Sequence, residues 1–74
     1  MQVEEKVDHV RRMLLKMGIR AAVCIRHRRE VVVLMTPATY KRHQLQVDRW
    51  FTLVERNQQY CVLSERDNNI AEIA

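Results

Sequence analysis

The chain has little of what builds an active site or a membrane span. Its 74 residues include one glycine, Gly18, one proline, Pro37, and one serine, Ser64. With so little glycine there is no glycine-rich phosphate loop, and neither G-x-x-x-x-G-K nor G-x-S-x-G occurs. The cysteines, Cys24 and Cys61, form no C-x-x-C pair, and His9, His27 and His43 have no zinc-ligand spacing. Acidic residues are scattered rather than paired. These absences argue against an enzyme and against a metal, a cofactor or a small-molecule substrate. No apolar run approaches the roughly 20 residues of a membrane helix. The start, MQVEEKVDHV, carries acids where a signal peptide needs a basic start and an apolar stretch. A soluble, cytoplasmic protein is expected, its cysteines reduced and acting as small buried hydrophobes.

What the chain does have is core-forming and charged residues, 47% hydrophobic and 30% charged. That balance belongs to a folded domain rather than a disordered one. A chain this short buries only about 60% of the surface its unfolded form exposes. Such chains usually gain stability from a disulfide, a metal or a partner subunit. Met13, Leu15, Trp50, Phe51 and Leu53 add apolar surface beyond one small interior, so a homodimer or higher oligomer is expected.

Periodicity sets the expected elements. Val3, Val7, Val10, Leu14 and Met17 form an apolar stripe at helical spacing, with Glu4, Glu5 and Asp8 early and Arg11, Arg12 and Lys16 late. Gly18 follows where a helix-ending glycine belongs, which gives a helix over 3–17. From Arg20 to Arg26 the period changes to two, as in a strand. Val31-Val32-Val33-Leu34-Met35 reads as a second strand, covered on both faces. The connection His27-Arg28-Arg29-Glu30 lacks Gly or Asn for positive φ, so a longer loop or a bulge is expected rather than a tight primed turn. Thr36-Pro37 starts a helix. Tyr40, Val47, Trp50, Phe51 and Val54 lie on one side of it, continued weakly by Gln58 and Cys61. Ser64 and Asp67 resemble a capping box, followed by a short helix through Ile70 and Ile73. The expected class is α+β, in the order α-β-β-α-α: amphipathic helix, hairpin, long helix, short helical tail.

The net charge of +4 is unevenly spread. Residues 1–54 hold 11 Lys+Arg against 5 Asp+Glu, a balance of +6. Residues 55–74 hold 2 against 4, a balance of −2, and the two parts sum to the whole. The expected division is a basic body, 1–54, whose charge could face a polyanion such as DNA or RNA, and a mildly acidic C-terminal segment, 55–74, that could face a basic protein partner. In the basic part Arg26-His27-Arg28-Arg29 gathers cations at a hairpin tip, where several phosphates can be met at once. Arg11 and Arg12 join them if the first helix presents them on the same side.

Cys24 to Tyr40, CIRHRREVVVLMTPATY, resembles the core of the Phd/YefM (prevent-host-death) antitoxins. In that family an apolar strand ending in Arg passes through a polar turn into a Val/Leu-rich strand, then Ser/Thr, and Tyr four positions later. Arg26, Thr36 and Tyr40 match; Arg28 stands in a turn where the family usually has Gly. A looser likeness covers residues 7–42. The resemblance implies a homodimer sharing sheet and helices, operator DNA binding with Arg26 as the carried-over contact and Arg11 or Arg12 as its helical companion, and a C-terminal segment that neutralises a cognate basic toxin. On that segment Glu55, Glu65 and Asp67 would meet cations of the toxin, while Tyr60, Leu63, Ile70 and Ile73 supply apolar contact. The competing expectation is a small phage- or plasmid-type inhibitor or adaptor that binds protein and no nucleic acid, using Trp50, Phe51, Leu53 and Val54.

Overall fold

The computed structural model describes residues 3–66. In chain order the elements are α1 (Val3–Lys16), β1 (Ala22–Arg26), β2 (Glu30–Met35), α2 (Pro37–Arg42), α3 (Gln44–Trp50), β3 (Phe51–Arg56) and β4 (Cys61–Glu65). The class is α+β, with one antiparallel sheet of order β1-β2-β4-β3. β2 and β3 each run antiparallel to β4, hence parallel to one another. α2 and α3 therefore form a crossover between parallel strands, and β4 inserts between those strands.

The alternation in β2 shows where the core lies. Val31, Val33 and Met35 join Cys61, Leu63 and Phe51 on one face of the sheet. Val10 and Leu14 of α1, Ile19, Tyr40 of α2 and Val47 of α3 close over that face. On the other face Val32 and Val62 are also buried, though outside this cluster. β2 is thus an apolar strand inside the sheet, with Val32 buried and Leu34 half-buried on its far face. α1 ends as its glycine dictates: Gly18 has φ of +71°, and Ile19 N–H returns to the Leu14 carbonyl at 2.9 Å.

The C-terminal half departs from the expected helices. α2 begins as read, with Pro37 in its first turn and the Thr39 N–H donating to Thr36 Oγ1 at 3.2 Å. The helix breaks at His43, and α3 ends at Trp50. Phe51 then adopts extended φ and ψ of −134° and 158°. The expected long helix is thus two short ones followed by a hairpin. Phe51-Thr52-Leu53-Val54 is rich in aromatic and β-branched residues, and Phe51 and Leu53 alternate toward the core as well as they fit a helical face. Ser64 lies inside β4 and caps no helix; the expected helix through Ile70 and Ile73 lies outside the described residues.

Of the apolar surplus, Phe51 is fully buried, and Met13, Trp50 and Leu53 pack against the same core. Only Leu15 stays out. One 74-residue interior therefore accommodates four of the five, because β3 and β4 give it a second hairpin to wrap. Among the described residues no helix is long and apolar enough to cross a membrane.

Candidate nucleic-acid interface

The β1–β2 hairpin pairs without a slip from Ala22↔Leu34 to Arg26↔Glu30, which leaves His27, Arg28 and Arg29 as its loop. His27 and Arg28 have φ of +52° and +68°. The loop is three residues, one longer than a two-residue primed turn, in line with the expected longer connection. It nevertheless takes two residues without glycine or asparagine into the left-handed region. An L-residue in this region costs about 1–2 kcal/mol. The unbroken pairing of five residue pairs behind the turn holds it there, without a glycine or asparagine to relieve it.

The charges at the tip are of two kinds. Arg26 Nε donates to Glu30 Oε1 at 2.6 Å across the strand pair. This hydrogen bond, before any other influence, raises the Arg26 pKa and lowers that of Glu30. Glu55, on the other edge strand, adds a smaller attraction to Arg26. Arg26 is therefore already matched. Arg28 and Arg29 are exposed and have no acidic partner among the described residues. Arg29 also lines a shallow groove with Lys6, Glu30 and Glu65, where Lys6 Nζ lies 2.9 Å from Glu65 Oε2.

That groove places the N-terminal end of α1 beside the tip. Arg11 and Arg12 lie five and six positions further along, about 8–9 Å down the helix axis at 1.5 Å per residue. Both are exposed, and Arg11 Nη1 faces Asp8 Oδ1 at 3.5 Å on its own helix. They line neither the hairpin tip nor the groove that Arg29 shares with Lys6. Cations that sequence reasoning passed over sit elsewhere: Arg20 just ahead of β1, and Arg56 at the end of β3, both exposed. Arg20 was legible as a charge flanking a strand, but its neighbours depend on tertiary placement.

The partner-binding candidates separate as well. Glu55 and Tyr60 are exposed, near the β3–β4 turn. Leu63 is fully buried in the core and presents nothing to a partner. Glu65 is half-buried and spent on Lys6. Asp67, Ile70 and Ile73 lie outside the described residues. The boundary between 54 and 55 falls inside β3, at its irregularity: Leu53 pairs with Leu63, Glu55 with Val62, and Val54 is passed over. The polar run Asn57-Gln58-Gln59 is the turn of this hairpin. Asn57 Oδ1 accepts from the N–H groups of Gln59 and Tyr60 at 2.7 and 2.9 Å, and Asn57 N–H donates to the Tyr60 carbonyl at 3.0 Å.

One part-buried polar contact ties the crossover together. Tyr40 Oη donates to Asp48 Oδ1 at 2.6 Å, linking α2 to α3. The hydrogen bond, with desolvation second, pushes the Tyr40 pKa up to about 12. Cys24 and Cys61 are both free; Cys61 is buried as expected, whereas Cys24 is only half-buried. No protein-family model, curated protein or solved structure matches the chain.

Proposed function

We propose that this protein is an antitoxin-like regulator that binds operator DNA as a dimer through the β1–β2 tip and neutralises a basic toxin through its C-terminal segment, residues 55–74. The observation that carries the DNA half is the tip itself. Two positive-φ residues occupy a three-residue turn without glycine or asparagine, and Arg28 and Arg29 stand there with no acidic partner among the described residues. Strain retained where a simpler residue would remove it points to a function for the side chains. The order helix, strand, turn, strand, helix over residues 3–42 is also what the antitoxin resemblance implies after the short opening strand that the family usually has. The toxin-binding half rests on charge balance and on Glu55 and Tyr60, since Leu63 and Glu65 serve the fold.

The test is binding of labelled duplex DNA followed by fluorescence anisotropy. Arg28→Ala combined with Arg29→Ala weakens binding across sequences, because each phosphate contact releases condensed counterions. Wild-type affinity in the double variant removes the tip from the interface. A second reading, a protein-binding adaptor, draws on Leu45, which is 92% exposed at the start of α3. It requires a protein complex that tolerates salt and is lost in Leu45→Ser, with no DNA shift.

A further inference from the structure

The two outer edges of the sheet are unlike. β3 is interrupted at Val54 and ends in Glu55 and Arg56. A bulge and charges are what keep an edge strand from pairing with another chain. β1 has no such device. Ala22-Val23-Cys24-Ile25-Arg26 runs in unbroken register with β2. It holds no proline and no charge before its last residue, and among the described residues nothing pairs with its outer side.

Apolar surface gathers along the same edge. Ile25, on the core face of β1, is 42% exposed, and Leu15 on α1 is 70% exposed. Lys6 and Leu15 are nine positions apart, about 900° or half a turn around the helix. Lys6 reaches inward to Glu65 on β4, so Leu15 points outward, past β1. It sits near the end of α1, at the end of the sheet where β1 begins, whereas Ile25 sits where β1 finishes.

We propose that a second copy of the chain pairs with this edge, β1 against β1 and antiparallel, about a two-fold axis at Cys24. This deepens the dimer of the preceding reading by assigning its surface. An antiparallel edge is self-complementary, since the rotation sets donors against acceptors. The whole five-residue strand pairs with itself only when Cys24 faces Cys24. Val23 then faces Ile25, apolar to apolar, and Ala22 faces Arg26. Centring on Val23 instead sets Ile25 and Arg26 against Ala21 and Arg20, which lie outside the strand, so fewer strand residues pair. In the Cys24 register the finish of one β1 lies beside the start of the other. Ile25 of each subunit thereby meets Leu15 of the other, and both exposed apolar residues are covered twice. The same register brings Arg20 of each subunit alongside Arg28 and Arg29 of the other. These like charges oppose assembly until a polyanion lies across them, so DNA and dimerisation strengthen one another.

Cys24 reports on this geometry. Antiparallel partners have Cα atoms about 4.5–5.5 Å apart, whereas Cys61 is buried and inaccessible. A short bis-maleimide added to the wild-type protein yields a covalent species of twice 8.9 kDa, lost in Cys24→Ser. Sedimentation equilibrium gives a dimer for wild type and a monomer for Ile25→Lys, with circular dichroism confirming that the variant is folded. Duplex DNA tightens the wild-type dimer. A wild-type protein that stays monomeric at micromolar concentration with and without DNA overturns the proposal. So does a dimer that Ile25→Lys leaves intact and bis-maleimide does not trap through Cys24. Arg28→Ala with Arg29→Ala separates the two readings, because loss of the tip weakens DNA binding and leaves the β1 dimer in place.

Discussion

The two hairpins of this sheet solve the same problem in opposite ways. The β3–β4 turn uses Asn57, whose side chain accepts two backbone N–H groups, and needs no positive φ. The β1–β2 turn is braced only across its base, where Arg26 donates to Glu30, and holds His27 and Arg28 at positive φ. The first turn is what a sequence optimised for folding looks like. The second keeps cations where folding alone favours glycine or asparagine. On the proposed reading, one hairpin end is shaped by stability and the other by what it presents to solvent.

The strongest way to break this comparison is to remove the second hairpin. Deleting all residues after Val54 takes away β4, which pairs with both β2 and β3 and carries the buried Cys61 and Leu63. The truncated chain is expected to lose its cooperative thermal transition. A truncated protein that melts cooperatively would show that β1, β2 and the helices stand without it.

Next in size is the link between the hairpins. Tyr40→Phe removes the hydrogen bond to the half-buried Asp48 carboxylate, a bond to a charged group, which costs about 1.5 kcal/mol. The pH dependence has a definite sign. Folding raises the Tyr40 pKa from its ordinary value near 10 to about 12. The folded state binds that proton more tightly, so the stabilisation is complete below about pH 10 and is lost as pH rises through 12. Urea melts at pH 9 and pH 12 should differ for the wild type beyond the difference seen in Tyr40→Phe. Equal differences would remove the contact from the stability of the crossover.

Asn57→Ala sharpens the comparison at the relaxed turn. Two hydrogen bonds from exposed backbone groups are lost, for about 1 kcal/mol, measured as a lower urea midpoint with an unchanged slope. An unchanged midpoint would make the two turns alike. Arg28→Gly has the smallest effect and the opposite sign. It relieves an αL penalty of about 1–2 kcal/mol against about 0.5–1 kcal/mol of added unfolded-state freedom. A net gain near 0.5 kcal/mol is expected in the same melts.

The N-terminal half was legible because its signals do not compete. The stripe from Val3 to Met17 fits only a helix, Gly18 ends it, and Val31 to Met35 is too apolar and β-branched for anything but a central strand. From Tyr40 onward two periods coexist. Tyr40, Val47, Trp50, Phe51 and Val54 fit a helix face, while Phe51, Leu53, Cys61 and Leu63 fit strand alternation, and the second wins because β2 offers its edge to β4. Asn57 was the available turn signal, outweighed by the apparent continuity of the helix. At the candidate site, Arg28 and Arg29 were read correctly as a hairpin tip. Pairing of Arg26 with Glu30, and the separation of Arg11 and Arg12 from the tip, depend on register and helix direction, which local sequence does not encode.

The central claim is that Arg28 holds a strained backbone because its charge is used. The most direct measurement is the slope of log affinity for duplex DNA against log salt concentration, for wild type and Arg28→Gly, each with its thermal midpoint. The account predicts that Arg28→Gly melts higher than wild type while its salt slope falls by about one, the loss of one phosphate contact. A variant that melts higher with the wild-type slope would contradict it, for the strain at the tip would then serve no DNA contact.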